Sequence, residues 1–515
     1  MKRIMIMTIV GVMFILSSCD LNKTPYNAVF VDDSFSTMTD AGYQRNGLYS
    51  YLRGRQLGVF VQTSEWQSDL FNAGVNFGNR GGFPHRLSTG LLDDYYVRDI
   101  WSNCYSALMQ VNNFIEKIDN VATTTPAEET TLANYKAEAY YVRAFLYYTL
   151  IKNFGPDYEP TTAATALGVP LVTKFDIFDK PARATVKEIY DFILADITQA
   201  EQLTTAGAVR SERITIDAVK ALKSKIQLLM HDFPGAAATA QALINSGKYP
   251  LITTAANLET YWTNDNGSED IFLMYVSATE YGLAIQGSGS ANTEQDMAPF
   301  SNWSAGNSAY WPDWFPTKTV MDMYEPGDFR LTAYYKYALS TGSDRIIANS
   351  TYCKNIYMLK KWPYTSLYGG NHRHKPKVAR IAEQYLIAAE ALALSGKQGE
   401  ALTVLNTLRT NRGASALPAW DNQGLRNEWA REMIGEGVRM ECLKRWGIGY
   451  NGRVPQIGAS ASTGAAVTIV TGPTDPDYCA MNAPANWYRF TLPMPQNDIR
   501  LNPNLVQTPE WVDPK

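Results

Sequence analysis

Apolar residues recur at helical spacing in blocks along the chain, separated by long stretches where the period disappears. Ala41, Leu48 and Leu52 share one face between Thr37 and Leu52, which predicts a first helix. Residues 53 to 94 lose the period. Gly and Asn are frequent there, Trp66, Phe71, Phe77 and Phe83 are scattered among them, and a long irregular segment is expected. From Tyr95 the period returns, with Trp101, Cys104, Leu108, Val111 and Ile115 on one face. Pro126 opens the next helix, centred on AEAYYVRAFLYYTLIKNFG (Ala137 to Gly155), and Gly155-Pro156 ends it. Further helices are expected at 185–204, 215–231 and 234–247, and then at 377–396, 398–411 and 424–445. Small residues fall where antiparallel helices would cross: Ala137, Ala139 and Ala144, and later Ala388, Ala389 and Ala391. Such pairs have the character of tetratricopeptide units, whose period is about 34 residues. The spacing here is uneven, so interrupted repeats are expected in an all-α dominated scaffold.

Residues 248–376 break the helical pattern. Short runs such as DIFLMYV (Asp270 to Val276) read as strands, as does GVPLV (Gly168 to Val172) earlier in the chain. A compact fold seldom keeps so long an irregular stretch unless it serves function. Inside it lies FSNWSAGNSAYWPDWF, Phe300 to Phe315, with six aromatics in 16 residues beside Asn302, Asn307 and Asp313. A pyranose has apolar C–H faces and a rim of hydroxyls, so its binder needs flat rings next to amides and carboxylates. Trp303, Tyr310, Trp311 and Trp314 are the expected ligand platforms. The competing reading is that these rings pin the segment to the scaffold, as Pro312 and Pro316 suggest. A second candidate is GNRGG, Gly78 to Gly82, where Asn79 and Arg80 would donate to sugar hydroxyls. The loop from Trp66 to Phe83 is the alternative location.

Composition narrows the class. A hydrophobic share of 45% against 19% charged residues supports a large core, and a net charge of −4 gives no reason to expect nucleic acid. With 31 Tyr and 12 Trp, aromatic surface is plentiful for recognition. At the start, Lys2 and Arg3 precede an apolar run from Ile4 to Leu16, shorter than the ~20 residues needed to span a bilayer. That is the layout of a secretory signal peptide. Its end, Leu16-Ser17-Ser18-Cys19, resembles the lipobox of bacterial lipoproteins, which implies cleavage after residue 18 and acylation of Cys19. A soluble secreted protein with a chance cysteine is the alternative. Cys104, Cys353, Cys442 and Cys479 show no C-x-x-C spacing; three disulfide pairings or buried free thiols remain open.

Motifs with chemical meaning fail their context. GIGYNG, Gly447 to Gly452, fits G-x-G-x-x-G but follows a helix, so Gly447 is expected to be a helix stop. His372 and His374 stand among Arg373, Lys375 and Lys377, and a solvated basic loop is expected in preference to a metal site. Asp93-Asp94 and Glu65…Asp69 are acid pairs by adjacency only. No catalytic residue, metal or cofactor is expected; a secreted polysaccharide hydrolase is the enzymatic alternative.

Five blocks resemble the SusD/RagB family of outer-membrane nutrient-binding lipoproteins. They are the lipobox with its tether, AEAYYVRAFLYYTLIKNFG, RIAEQYLIAAEALALSG (Arg380 to Gly396) followed by ALTVLNTLRTNRG, REMIGEGVRMECLKRWG (Arg431 to Gly447), and LPMPQNDIRLNPNLVQTPEW (Leu492 to Trp511). Asp498 and Thr508 stand where the family usually has Glu and Asn. The resemblance implies four tetratricopeptide-like units under a variable loop-rich region that is partly β. It also implies a cell-surface, lipid-anchored location in the outer membrane and a SusC-like TonB-dependent transporter as partner. Its usual ligands are glycans, with peptides for some members. The motif residues Arg380, Glu383, Glu436, Arg439 and Arg445 are expected to brace helices at i,i+3 spacing, each contributing little. The expected organisation is signal peptide 1–18, anchor and tether 19–36, helical scaffold 37–247, ligand region 248–376, and scaffold with a loop-rich end 377–515.

Overall fold

The computed structural model describes residues 35–512 apart from 76, 79, 206–208, 210, 278–296, 305–306, 339–344, 366, 369–373 and 471–479. Cys19, the tether, Asn79, His372 and Cys479 therefore lie outside the described residues. The N-terminal scaffold helices are α1 (Met38–Arg53), α2 (Val59–Gln67), α3 (Tyr95–Lys117), α4 (Pro126–Phe154), α5 (Val186–Leu203), α6 (Ile216–Leu229) and α7 (Phe233–Asn245). A short α8 (Ala255–Thr263) leads into the strand-rich middle. The scaffold resumes with α9 (Ile381–Leu394), α10 (Gln398–Asn411), α11 (Asn422–Met433) and α12 (Arg439–Trp446).

Local chemistry starts these helices where the sequence says it should. Thr37 with Asp40, Thr125 with Glu128 and Thr185 with Glu188 form reciprocal capping boxes on α1, α4 and α5. Each such cap stabilises its helix by roughly 0.5–2 kcal/mol. The helices then pack as neighbours, α4 against α3 and α5, α9 against α7 and α10. Ala139, Ala144, Ala388, Ala389 and Ala391 are wholly buried at these contacts. Small side chains there shorten the distance between axes.

Three elements differ from the sequence expectation. α2 falls inside the segment expected to be irregular, because Gln62, Thr63, Ser64, Glu65 and Gln67 are buried together with its apolar residues. A helix buried all round has no amphipathic period to detect. Residues 377–380 are a strand, pairing antiparallel with Asp270–Leu273, and the helix begins only at Ile381. The stretch 424–445 divides at Gly435 and Gly437, whose φ of +77° and +74° no other residue adopts cheaply. Gly447 ends α12 in the left-handed conformation, as expected of a stop.

The middle segment contributes most of a six-stranded sheet. Its order is Ala466–Val467, Gly458–Ser460, Thr351–Lys354, Arg345–Ala348, Ala309–Tyr310 and Trp303–Ser304. The first two strands come from the loop-rich C-terminal end, so that end completes the middle segment. Cys104, Cys353 and Cys442 are buried free thiols.

The motif charges are not surface braces. Six cations and six carboxylates meet between the middle segment and the C-terminal helices: Arg330, Arg380, Arg409, Arg412, Arg431 and Lys361 with Glu269, Glu325, Asp328, Glu428, Glu432 and Glu436. Glu432 is wholly buried and accepts from Arg380 at 2.7 Å, Arg412 at 3.0 Å and Arg330 at 3.0 Å. Arg380 reaches Glu432 and Glu436, and Glu383 turns instead to Lys225 at 2.7 Å. Arg445 pairs with Glu390 across helices, and Arg439 with Asp69 just beyond the end of α2. Buried guanidiniums hold Glu428 at a pKa of about 2 and push Glu432 well below the usual carboxylate range against strong desolvation.

These shifts set a pH dependence. Burial raises Glu65 to about 7 and Asp157, Asp270 and Asp313 to about 6. A raised carboxyl stabilises most below its unfolded pKa and loses that contribution as pH rises through 6 to 7. Glu428 and Asp265, held at about 2, act the other way, contributing above ~4.5 and losing it on further acidification. His85 and His231, both held below the usual pKa by burial, oppose the first group as pH rises toward 6.5, whereas Asp94, Asp196 and Asp498, raised by burial, add to it. Calorimetry is expected to place the thermal midpoint higher at about pH 5 than at pH 7.5, with a steep fall below about pH 4. A maximum at or above pH 7 would contradict this balance.

Candidate functional site

The segment 300–316 is fixed at one end and open at the other. Trp314 to Pro316 pairs antiparallel with Phe71 to Ala73, and the Gly74 N–H donates to the Asp313 carbonyl at 2.7 Å. The two stretches that the sequence offered as alternative sites, 66–83 and 300–315, are thus joined. Trp314 is wholly buried, stacked on Trp66 at 5.5 Å and 28°, with the rings of His85 and Phe77 at its edges. It offers no face to a ligand; it anchors the segment, which corrects the expectation for this ring.

Trp303 and Tyr310 face each other across the two strands at the end of the six-stranded sheet, rings 4.9 Å apart at 67°. Tyr364, 40% exposed, lies 6.2 Å from Trp303 at 36°. These three rings, partly exposed together, form the open cluster. Trp311 is half-buried beside it, its backbone N–H bonded to the Asn302 carbonyl at 2.6 Å. Asn307 braces the hairpin: its amide donates to Ser304 Oγ at 2.8 Å, and its carbonyl accepts from Tyr352 and Arg345 at 3.3 Å. Arg345 in turn lies 3.9 Å over the Tyr352 ring.

Arg80 is ion-paired with Asp313, which ties the glycine-rich loop to the aromatic segment. Burial outweighs Arg80's pull and leaves the Asp313 carboxyl at about 6. The geometry pairs Trp303 with Tyr310, keeps Trp311 beside them and Arg80 on Asp313, and buries Trp314 in the neighbouring strand pair, while Asn79 lies outside the described residues. Sequence reasoning missed Tyr364. The signal was available in KKWPYTSLYGG, an aromatic- and glycine-rich run of the same type.

Other chemical candidates have structural duties. Asp94 caps α3 by accepting from the Tyr96 and Val97 amides. Asp69 is bidentate with Arg439 at 2.8 Å, and Glu65 accepts from the Gly437 amide at 2.7 Å. His374 is not on a solvated loop. It is fully buried, bonded through Nε2 to the Pro363 carbonyl at 2.8 Å, with Nδ1 3.4 Å from Asp265. Asp157, Glu159 and His231 bring potential ligand atoms within 4.8 Å of one another, the one such group among the described residues, and burial raises the Asp157 carboxyl to about 6. A space of about 80 Å³ inside the scaffold, lined by Lys152, Lys225, Glu383 and Arg380, is too small for an oligosaccharide, whereas the rings lie at the surface. Among the described residues no helix is long and apolar enough to cross a membrane.

Comparison with known proteins bears on the same halves of the chain. Residues 328–511 match the family model described as SusD family, and residues 70–228 match one described as starch-binding associating with outer membrane. SusD-like protein P2 of Formosa agariphila is 23% identical over 487 residues, covering 87% of this chain and 90% of the relative. A SusD superfamily protein from Bacteroides thetaiotaomicron superposes with a TM-score of 0.75 at 22% identity, over 92% of this chain and all of the other. A laminarin-binding SusD-like protein superposes with a TM-score of 0.67 at 20% identity, again over 92% of this chain and all of the other. These likenesses carry the fold, and the two family models together reach across both scaffold halves. The chain belongs to the SusD/RagB family, whose members are non-catalytic, glycan-binding proteins associated with the outer membrane.

Proposed function

We propose that the protein is a surface lipoprotein that holds oligosaccharides on the Trp303–Tyr310–Tyr364 rings and passes them to a SusC-like TonB-dependent transporter. The observation that carries the reading is this ring cluster, left open at the end of the six-stranded sheet while Trp314, four residues beyond Tyr310, is buried against Trp66 of α2. Trp311 and Arg80 flank it as further contacts. The lipobox at Cys19 supports attachment by acyl chains, two or more of which are needed for a stable anchor. That one relative in fold binds laminarin supports a glucan among the ligands to try first.

The test uses the full-length protein in detergent micelles against a polysaccharide panel. Each ring is expected to contribute about 0.5–1.5 kcal/mol of stacking, as aromatic pairs do. Alanine at both Trp303 and Tyr364 should then weaken binding about 5- to 150-fold, since ~1.4 kcal/mol is tenfold. Circular dichroism should stay helical, and a large barrel protein should co-purify from outer membranes. Unchanged affinity in the double variant removes the rings from the site; hydrolysis of the bound polymer removes the binding-protein reading altogether.

A further inference from the structure

A second concave site lies on the helical scaffold. A cavity of about 430 Å³ opens where α7 begins, α9 ends, α10 begins, and α11 and α12 pass beside them. Its volume is in the ~300–1,000 Å³ range of small-molecule sites. Phe233, Trp420 and Trp446 line it, each half-buried, and Leu394 stands 53% exposed at its edge. Both indoles are held in place by their N–H groups, Trp446 on Glu390 at 2.8 Å and Trp420 on Asn422 at 2.9 Å. The rings are therefore oriented before any ligand arrives.

The charges in the cavity do not cancel. Glu390 is matched by Arg445, which it meets at 2.8 and 2.9 Å, and both are buried. Burial keeps the His231 ring below its usual pKa and so neutral at pH 7. Arg426 is left over. Its guanidinium lies 5.6 Å over the Trp446 ring, and no carboxylate or hydrogen-bond acceptor meets it among the described residues. A planar, permanently charged fork at the mouth of an aromatic cavity matches a carboxylate better than any neutral group.

We propose that this cavity is a second ligand site, for a sugar bearing a carboxylate: a uronic acid unit whose acid group meets Arg426 and whose ring faces Trp420 and Phe233. The exposed amides of Gln398 and Asn422 at the mouth suit the hydroxyl rim. A peptide is the weaker fit, because no strand lines the cavity to pair with an extended chain. None of the ring-cluster residues takes part, so this site and the surface reading above stand or fall separately.

The experiment is calorimetric titration of the full-length protein in micelles with glucuronic acid, glucose and a short carboxylate-terminated peptide. Glucuronic acid should bind at least tenfold more tightly than glucose or the peptide, and more weakly as salt is raised. Arg426→Gln should cost at least tenfold, Trp420→Ala should weaken binding independently, and Tyr43→Ala, on the exposed face of α1, should leave it unchanged. Equal affinity for glucose overturns the carboxylate role, and equal affinity for the peptide overturns the sugar. Binding that survives both cavity variants, that disappears in Tyr43→Ala, or that is undetectable at about 50 mM overturns the site.

Discussion

Glu432→Ala is expected to cost about 3–5 kcal/mol or more, enough to leave much of the protein unfolded at growth temperature. The substitution removes the one carboxylate that Arg330, Arg380 and Arg412 all touch, together with the acceptor of the Tyr334 hydroxyl at 3.1 Å. Removing one partner from a buried ion pair costs about this much even for a single unmatched charge, because the survivor cannot recover its water. Here three guanidiniums lose a partner, against a typical total stability of ~5–15 kcal/mol. Glu432→Gln, which keeps the shape and some hydrogen bonds, should cost less than the alanine. Arg412→Met combined with Glu432→Leu should be less damaging than the sum of the two changes, since neighbours in one network are not additive. Urea unfolding midpoints measure all three. An alanine variant with the wild-type midpoint would show that the network adds little.

Gly81→Val should damage both stability and ligand binding. A Cβ at position 81 would stand 2.4 Å from Cδ2 and Cε3 of Trp66, and the backbone there has φ of +69°. Trp66 is wholly buried and stacked on Trp314, so its ring has nowhere to retreat. Left-handed strain of ~1–2 kcal/mol and overpacking of ~1–3 kcal/mol give an expected loss of about 2–5 kcal/mol. The near-ultraviolet circular dichroism of the stacked indoles should weaken. Glycan affinity should fall too, because the Trp66–Trp314 contact holds the strand that leads from the open rings. Full stability in Gly81→Ala would show that the loop yields elsewhere.

What could be read in the sequence follows from the range of the signal. α3 and α5 announce themselves because one face is apolar and the other wet, and α4 through Thr125, Pro126 and Glu128 at its start and Gly155-Pro156 at its end. α2 does not, because burial on every side erases the contrast. The ring cluster was visible as density, Trp303 and Tyr310 among six aromatics, but inside and outside look alike in an irregular stretch. Only the pairing of Trp314 with Ala73 and its stack on Trp66, 248 positions earlier, turns that ring inward. The same holds for Arg380, whose partners lie 52 and 56 residues away and not at the helical neighbour Glu383. Local spacing proposes a partner, and burial chooses another.

The position of the charge network decides how the ligand-bearing surface can be re-cut. Glu269, Glu325, Asp328, Arg330 and Lys361 root the middle segment in the C-terminal helices, whereas the open rings begin at Trp303 and lie on hairpin and loop. Removing the segment whole as a cassette would strip Arg409 and Arg412 of carboxylates that no helix of the scaffold replaces. Rim residues at 303, 310, 311 and 364 are not members of that network, so exchanging them for a new sugar leaves its ion pairs in place. A graft to a sister scaffold would carry the rim across and leave the roots where they are.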